Sequence, residues 1–278
     1  MQLQLPRNRV LNLHRCQLMG ILNLTPDSFS DGGNFVTRDK ALRQVALMIE
    51  QGAQIIDIGG ESTRPGATKV SLQQELDRVI PLLEMVRAEF DPILSIDTYK
   101  PTVMAEAVKA GADIINDVKA LQEPNALEIV AKLGVPVCLM HMQGTPETMQ
   151  LQPDYQDVVH DVQRFLLQRV DACIDAGIAS NQILLDPGFG FGKNLAQNYR
   201  LLAELKQLSA NGFPILAGMS RKSMIGHLLN VATEERLAGS IACATIGVMN
   251  GARIIRAHDV KATADAIAIA EAVLYGVC

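Results

Sequence analysis

Eight short runs of Val, Ile, Leu and Met punctuate this chain, and each closes on a residue capable of chemistry. The closing residues are Asn23, Asp57, Asp97, Asn116, His141, Asp186, Ser220 and the pair Arg256/His258. Apolar runs this short are buried on both faces only as strands of a parallel sheet. Amphipathic stretches of helical period lie between them. Leu42, Val45 and Ile49 make one apolar stripe, and Leu72, Leu76, Val79 and Leu83 make a second. Ser71, with Gln74 three residues later, predicts a capping box where that second helix starts. Ala266, Ile269 and Val273 predict a last amphipathic helix. Gly52, Gly111, Gly134, Gly177, Gly212 and Gly251 each stand a few residues ahead of a run, where a left-handed residue ends the preceding helix.

Strands and helices alternating in this way predict an α/β fold, a (β/α)8 TIM barrel. No linker, low-complexity tract or composition break interrupts the series. Residues 1–278 therefore read as a single domain, with a short N-terminal extension before about Cys16. In such a barrel the C-terminal ends of the strands share one mouth, so residues distant in sequence converge there. Three segments on that rim, 25–33, 61–66 and 142–149, are polar and rich in Gly and Pro, as binding elements and lids are.

Composition narrows the partners. The 278 residues suit one barrel, and 48% hydrophobic residues with only 4% aromatics suit an aliphatic core. A net charge of −5 argues against nucleic acid and anionic membrane as partners, so an anionic ligand needs a local cluster of cations. Cys16, Cys138, Cys173, Cys243 and Cys278 include no CxxC and read as reduced thiols, not a disulfide framework or zinc site. The start of the chain lacks the layout of a signal peptide, and no apolar stretch reaches membrane-spanning length. A soluble cytoplasmic protein is expected.

Asp57, Asp97 and Asp186 follow apolar runs, where a carboxylate is costly without a partner. A structural acid is the competing reading for each. Ionised carboxylates only accept hydrogen bonds, so they suit a ligand edge rich in N–H donors, such as a pteridine or guanine-like ring. Asn116 adds a donor and an acceptor to the same layer. Arg64, Lys222, Arg256 and His258 sit at or just past four strand ends and would hold phosphate oxygens or a carboxylate. Arg256 and His258 share one side of the last strand. Asn23 either caps its loop or ligates a hard cation; magnesium binds through few protein oxygens and takes the rest from substrate phosphates.

The glycine-rich segment Asp186-Pro-Gly-Phe-Gly-Phe-Gly-Lys193 does not fit GxxxxGK[ST], because Pro187 takes the first Gly position and Asn194 follows the lysine. It reads as a close-approach loop in which small glycines let a flat ligand and phenylalanines pack. Met140, Met142, Phe189, Phe191 and Met219 are either the apolar part of that pocket or plain core. No nucleophile triad stands out: Cys138 lies within a strand, and Ser220 and Ser223 lack an obvious paired base.

Met19-Gly-Ile-Leu-Asn-Leu-Thr-Pro-Asp-Ser-Phe-Ser-Asp-Gly-Gly33 and Asp57-Ile-Gly-Gly-Glu-Ser-Thr-Arg-Pro-Gly66 closely resemble the two signature segments of the dihydropteroate synthase family. Ser95–Thr98, Ile114–Asp117, Leu139–Gly144, Leu185–Lys193, Gly218–Ser223 and Ile255–Asp259 continue the resemblance in the family's order. Tyr99 departs from it, standing where a small residue is expected.

The resemblance implies joining of 6-hydroxymethyl-7,8-dihydropterin diphosphate to p-aminobenzoate, with release of diphosphate, for folate biosynthesis. It implies that Asp97, Asn116, Asp186 and Lys222 hold the pterin, and that Asn23, Arg64, Arg256 and His258 hold the diphosphate with Mg²⁺ on Asn23. Thr63, Ser220, Phe29 and Phe191 are then the p-aminobenzoate contacts, and Asp97, Lys222, Arg256 and His258 the catalytic set. A homodimer and a site for sulfonamides, which mimic p-aminobenzoate, are implied as well. The rival readings are a pterin-dependent methyltransferase, which needs no diphosphate site, and a non-catalytic pterin-binding paralogue, which would have lost some of these residues.

Overall fold

The computed structural model describes residues 1–24, 34–62, 69–144 and 154–277, apart from the side chains of residues 34–37. Two short strands, β1 (Gln2–Gln4) and β2 (Val10–Asn12), pair antiparallel as a hairpin. Eight parallel strands follow: β3 (Gln17–Asn23), β4 (Ile55–Gly59), β5 (Ile93–Asp97), β6 (Ile114–Asp117), β7 (Val137–Met140), β8 (Ile183–Asp186), β9 (Ile215–Ala217) and β10 (Ala252–Ala257). They pair in chain order, and β10 returns to pair with β3, closing a (β/α)8 barrel. The helices outside it are α1 (Asn34–Glu50), α2 (Leu72–Glu89), α3 (Pro101–Lys109), α4 (Ala126–Leu133) and α5 (Val158–Asp175). They continue with α6 (Leu195–Ala203), α7 (Leu205–Ser209), α8 (Ser223–Leu229), α9 (Leu237–Met249) and α10 (Val260–Tyr275).

Side-chain alternation sorts each strand into an inner and an outer face. Met19, Ile55, Ile93, Ile114, Cys138, Leu184, Leu216 and Ile254, one from each strand, fill the floor of the barrel. Leu3, Leu5, Leu11 and Leu13 of the hairpin join that cluster, so the N-terminal extension is the plug under the barrel. Charge fastens the plug. The buried carboxylate of Asp113 pairs with Arg7, with Arg9 Nη2 at 2.5 Å and with Arg87 Nη2 of α2 at 2.7 Å. Outward residues such as Ile56, Ile58, Leu94 and Ile96 pack under the helices in a second cluster.

The helix signals hold at the ends and slip at the faces. Ser71 and Gln74 form the capping box, and Gly52, Gly111, Gly134, Gly177, Gly212 and Gly251 all have positive φ. The buried face of α2, however, is Glu75, Val79, Leu82, Leu83 and Val86, while Leu72 is 42% exposed. Glu75 can turn inward because Thr98 Oγ1 donates to it at 2.6 Å and Lys100 pairs with it. On α10 the expected stripe is overturned: Ile269 is 66% and Val273 69% exposed. Val260, Thr263, Ala266, Ile267 and Ala270 face inward, because small residues allow α10 close against α9 and β3.

Candidate active site

The site begins two residues above the floor, where the inner-face alternation brings Asp57, Asn116, Asp186 and Arg256 into one layer. Asp57 is fully buried. It accepts from Arg256 Nε at 2.6 Å and from Asn116 Nδ2 at 3.1 Å. Asp97, one step higher on β5 and 10% exposed, accepts from Arg256 Nη2 at 2.8 Å. One guanidinium therefore bridges two carboxylates. Burial, offset by Arg256 but reinforced by Asp57, pushes the Asp97 carboxyl up to about 7, while the same two acids raise Arg256 further despite its burial. The sequence marks Asp57 only as one strand-end acid among three, without its part in orienting Arg256 and Asn116. Its place in an apolar run was the available signal.

Asp186 lies across the mouth. Burial raises its carboxyl against the opposing pull of Lys222, and its Oδ1 accepts from the Gly188 N–H at 2.7 Å. Lys222 Nζ donates to the Phe189 carbonyl at 2.6 Å and stands 4.6 Å from the centre of the Phe191 ring. Burial brings this ammonium down to about 8, despite Asp186. Carboxylates facing a half-buried ammonium across an open mouth suit a flat ring with N–H donors on one edge and acceptors on another.

The 186–193 loop gives two of its three glycines a use other than the expected one. A Cβ on Gly188 would lie 1.9 Å from the His141 carbonyl oxygen, and one on Gly192 2.5 Å from that of Gln143. Both have positive φ, so these glycines serve the close approach of two backbones rather than of a ligand. Lys193, almost wholly buried, ties the loop: its Nζ reaches the carbonyls of Gly188 at 2.9 Å and Phe191 at 3.0 Å, and His141 Nδ1 at 2.9 Å. His141 thus packs behind the mouth against Phe165 and Lys193, and burial lowers its imidazole to about 2. Phe189 and Met219 are core. Met140 and Met142 line a cavity of ≈ 170 Å³ with Val118, Lys119, Gln122 and Gly144.

On the opposite rim, Asn23 ends β3. A Cβ on Gly59 would stand 3.5 Å from Asn23 Oδ1 and 3.6 Å from Asp97 Oδ2, so the missing side chain leaves these oxygens an open cradle. A neutral amide oxygen beside a carboxylate is a fitting, sparse donor set for magnesium. Among the described residues no cluster of three His, Cys, Asp or Glu could hold a metal by itself.

Ser220 and His258 meet after β9 and β10. Ser220 Oγ accepts from the His258 backbone N–H at 3.1 Å and lies 3.1 Å from His258 Nδ1. The serine without an evident base therefore has an imidazole beside it, supplied from 38 residues away just past β10. Tyr99, in place of a small residue, donates from Oη to Glu61 at 3.2 Å and carries Lys119 Nζ 3.8 Å from its ring centre. Thr63, Arg64 and Phe29 lie outside the described residues, as does most of each of the three polar rim segments' chemistry.

The chain is similar over nearly its whole length to proteins of known activity. A profile of the pterin binding enzyme family matches residues 19–258. The dihydropteroate synthase of Escherichia coli (strain K12) is 56% identical over 264 residues, covering 95% of this chain and 94% of that protein. Crystal structures align over nearly the whole chain. The dihydropteroate synthase of Yersinia pestis in complex with a sulfonamide drug superimposes with a TM-score of 0.94 at 56% identity, covering 99% of both chains. The Xanthomonas albilineans enzyme with 4-aminobenzoic acid does so with a TM-score of 0.92 at 49% identity, covering 99% of this chain and 98% of that one.

Proposed function

The chain belongs to the pterin binding enzyme family, among its dihydropteroate synthases, and we propose from that premise how its barrel mouth performs the reaction. It is a transferase of folate biosynthesis. It condenses 6-hydroxymethyl-7,8-dihydropterin diphosphate with p-aminobenzoate, giving 7,8-dihydropteroate and diphosphate.

The observation that carries the assignment of roles is the charge pattern of the mouth. Asp97, Asn116 and Asp186 offer acceptors around the mouth, and Lys222 offers an ammonium. On this reading they hold the pterin ring. Arg256 and His258, with Asn23 and Arg64, hold the diphosphate. Ser220, Phe191, Thr63 and Phe29 receive p-aminobenzoate. Magnesium, held through Asn23 and the diphosphate oxygens, would spread the charge of the leaving group.

The reaction is a dissociative displacement at the exocyclic methylene carbon. Arg256 is prepared for it by Asp57, which supports the guanidinium from below through Nε. As diphosphate leaves, the cations stabilise its charge, and the acids beneath the ring stabilise the developing carbocation. The aniline nitrogen of p-aminobenzoate is neutral near pH 7 and needs no strong base. Apolar surface at Met140 and Phe191 limits water near the cation.

A cytoplasmic homodimer fits the chemistry and the surface. Cys16, Cys138, Cys173 and Cys243 are buried free thiols, and no helix among the described residues is long and apolar enough to cross a membrane. Ile246, Ile269 and Val273 leave an apolar face on α9 and α10. The function is tested by diphosphate release from the dihydropterin diphosphate, with and without p-aminobenzoate. Release that requires p-aminobenzoate, with dihydropteroate formed in equal amount, is expected. Binding of the pterin without release would overturn it.

A further inference from the structure

We propose that Arg236 and Ser240, at the start of α9, are positioning residues for the barrel mouth: they hold Arg221 in a left-handed conformation and so fix Ser220 and Lys222 on either side of it. The inference rests on the reading that Ser220 meets p-aminobenzoate and Lys222 the pterin. It adds a brace, on a helix outside the barrel, that this reading does not contain.

The strain to be held is local. The Lys222 N–H donates to the Met219 carbonyl at 3.1 Å and closes a four-residue turn that carries both Ser220 and Lys222. The third residue of that turn, Arg221, has φ of 56°. Glycine is usual at such a place. A Cβ in the left-handed region crowds the following carbonyl oxygen and disfavours the conformation by about 5- to 30-fold. An arginine stays there only where its surroundings outweigh that strain.

The surroundings that do so lie on one helix. The φ and ψ of a residue are the relative orientation of its two flanking peptide planes. In the plane before Arg221, the Arg221 N–H donates to Ser240 Oγ at 2.9 Å. In the plane after it, the Arg221 carbonyl accepts from Arg236 Nη1 at 2.9 Å. Both planes are therefore tied to the first turn of α9. Ser240 is buried, and its hydroxyl donates to the Arg236 carbonyl at 2.7 Å, which leaves its lone pairs to accept from Arg221. Arg236 has its place because α8 carries Gly226 there: a Cβ on Gly226 would lie 2.3 Å from Arg236 Nη2. The Arg221 side chain adds a third tie through its ion pair with Asp259, with Nε to Oδ2 at 2.9 Å.

Release of either plane lets Arg221 relax toward negative φ and turns the peptide that joins it to Ser220 or to Lys222. Lys222 Nζ then leaves the Phe189 carbonyl, 2.6 Å away, and the two substrate contacts lose their places together.

The test measures affinity for the dihydropterin diphosphate by calorimetry and KM for p-aminobenzoate by steady-state rates. Ser240→Ala frees the first plane, and Gly226→Ala displaces Arg236 from the second. Each should weaken pterin binding and raise KM by about 5- to 30-fold, with cooperative urea unfolding retained. Arg221→Gly gives up the ion pair with Asp259, so it serves as its own reference. In that background Ser240→Ala should cost about twofold or less, because glycine takes the same φ without strain. A general loss of packing would show no such rescue. Should Ser240→Ala fail to fold, Gly226→Ala is compared in the same two backgrounds. Parental affinity and KM in either single variant, or an undiminished loss in the Arg221→Gly background, overturns the brace. Ser220→Ala and Lys222→Met keep the two readings apart: if they too bind both substrates normally, the placement fails as well; if they are impaired, only the brace fails.

Discussion

Lys222 concentrates the chemistry of the site in one titratable group. Its ammonium has the Phe189 carbonyl as a hydrogen-bond acceptor and the Phe191 ring beside it, and burial lowers it to about 8. The ordinary value is about 10.4, so in the folded enzyme the charged form disappears about two pH units early. If that ammonium donates to the pterin ring, pterin affinity measured by calorimetry should fall as pH rises through about 8. Lys222→Met should be weaker throughout and lack that limb; a parent enzyme with flat affinity from pH 7 to 9 would sink the role. The sign for stability is opposite. A lysine depressed by burial disfavours the folded state while charged, so its penalty fades as pH climbs from about 8 toward the unfolded value.

The loop between β8 and α6 shows how an element can be built around absent side chains. Gly134 and Gly188 both have positive φ, yet a Cβ on Gly134 meets nothing within 4 Å while one on Gly188 strikes a backbone carbonyl. Gly134→Ala should therefore cost only the backbone strain, about 1–2 kcal/mol. Gly188→Ala adds overpacking and should cost about 2–5 kcal/mol by urea unfolding. It should also loosen pterin binding, because Gly188 N–H and the Phe189 carbonyl address Asp186 and Lys222. Equal losses for the two variants would deny the close approach. The helix ends were legible for the same local reasons: Ser71 with Gln74, and glycine before six of the eight barrel strands, act through a few neighbouring atoms. The buried faces were less so. Period alone cannot tell that Glu75 finds Thr98 and Lys100 inside, or that the alanine side of α10 packs more closely than its Ile269 side.

At the scale of the molecule, closure of the barrel turns eight strand ends into one site, and the hairpin beneath seals the floor with four leucines and the arginine grip on Asp113. The apolar surface remaining on α9 and α10 is the feature that a second copy would cover. Ile269→Asp should convert a dimer to a monomer by light scattering, and an unchanged mass would place the contact elsewhere. The sequence alone determined the alternation, the helix stops, the strand-end residues and the family motifs, because each depends on chain-local spacing. Only the tertiary structure decided which of those residues face one another. Asp57 became the support of Arg256, His141 a buried partner of Lys193, and Ser220 the neighbour of His258. Pairings of this kind depend on strand order, register and the direction of each side chain, and these are set by closing the whole barrel rather than by any one segment.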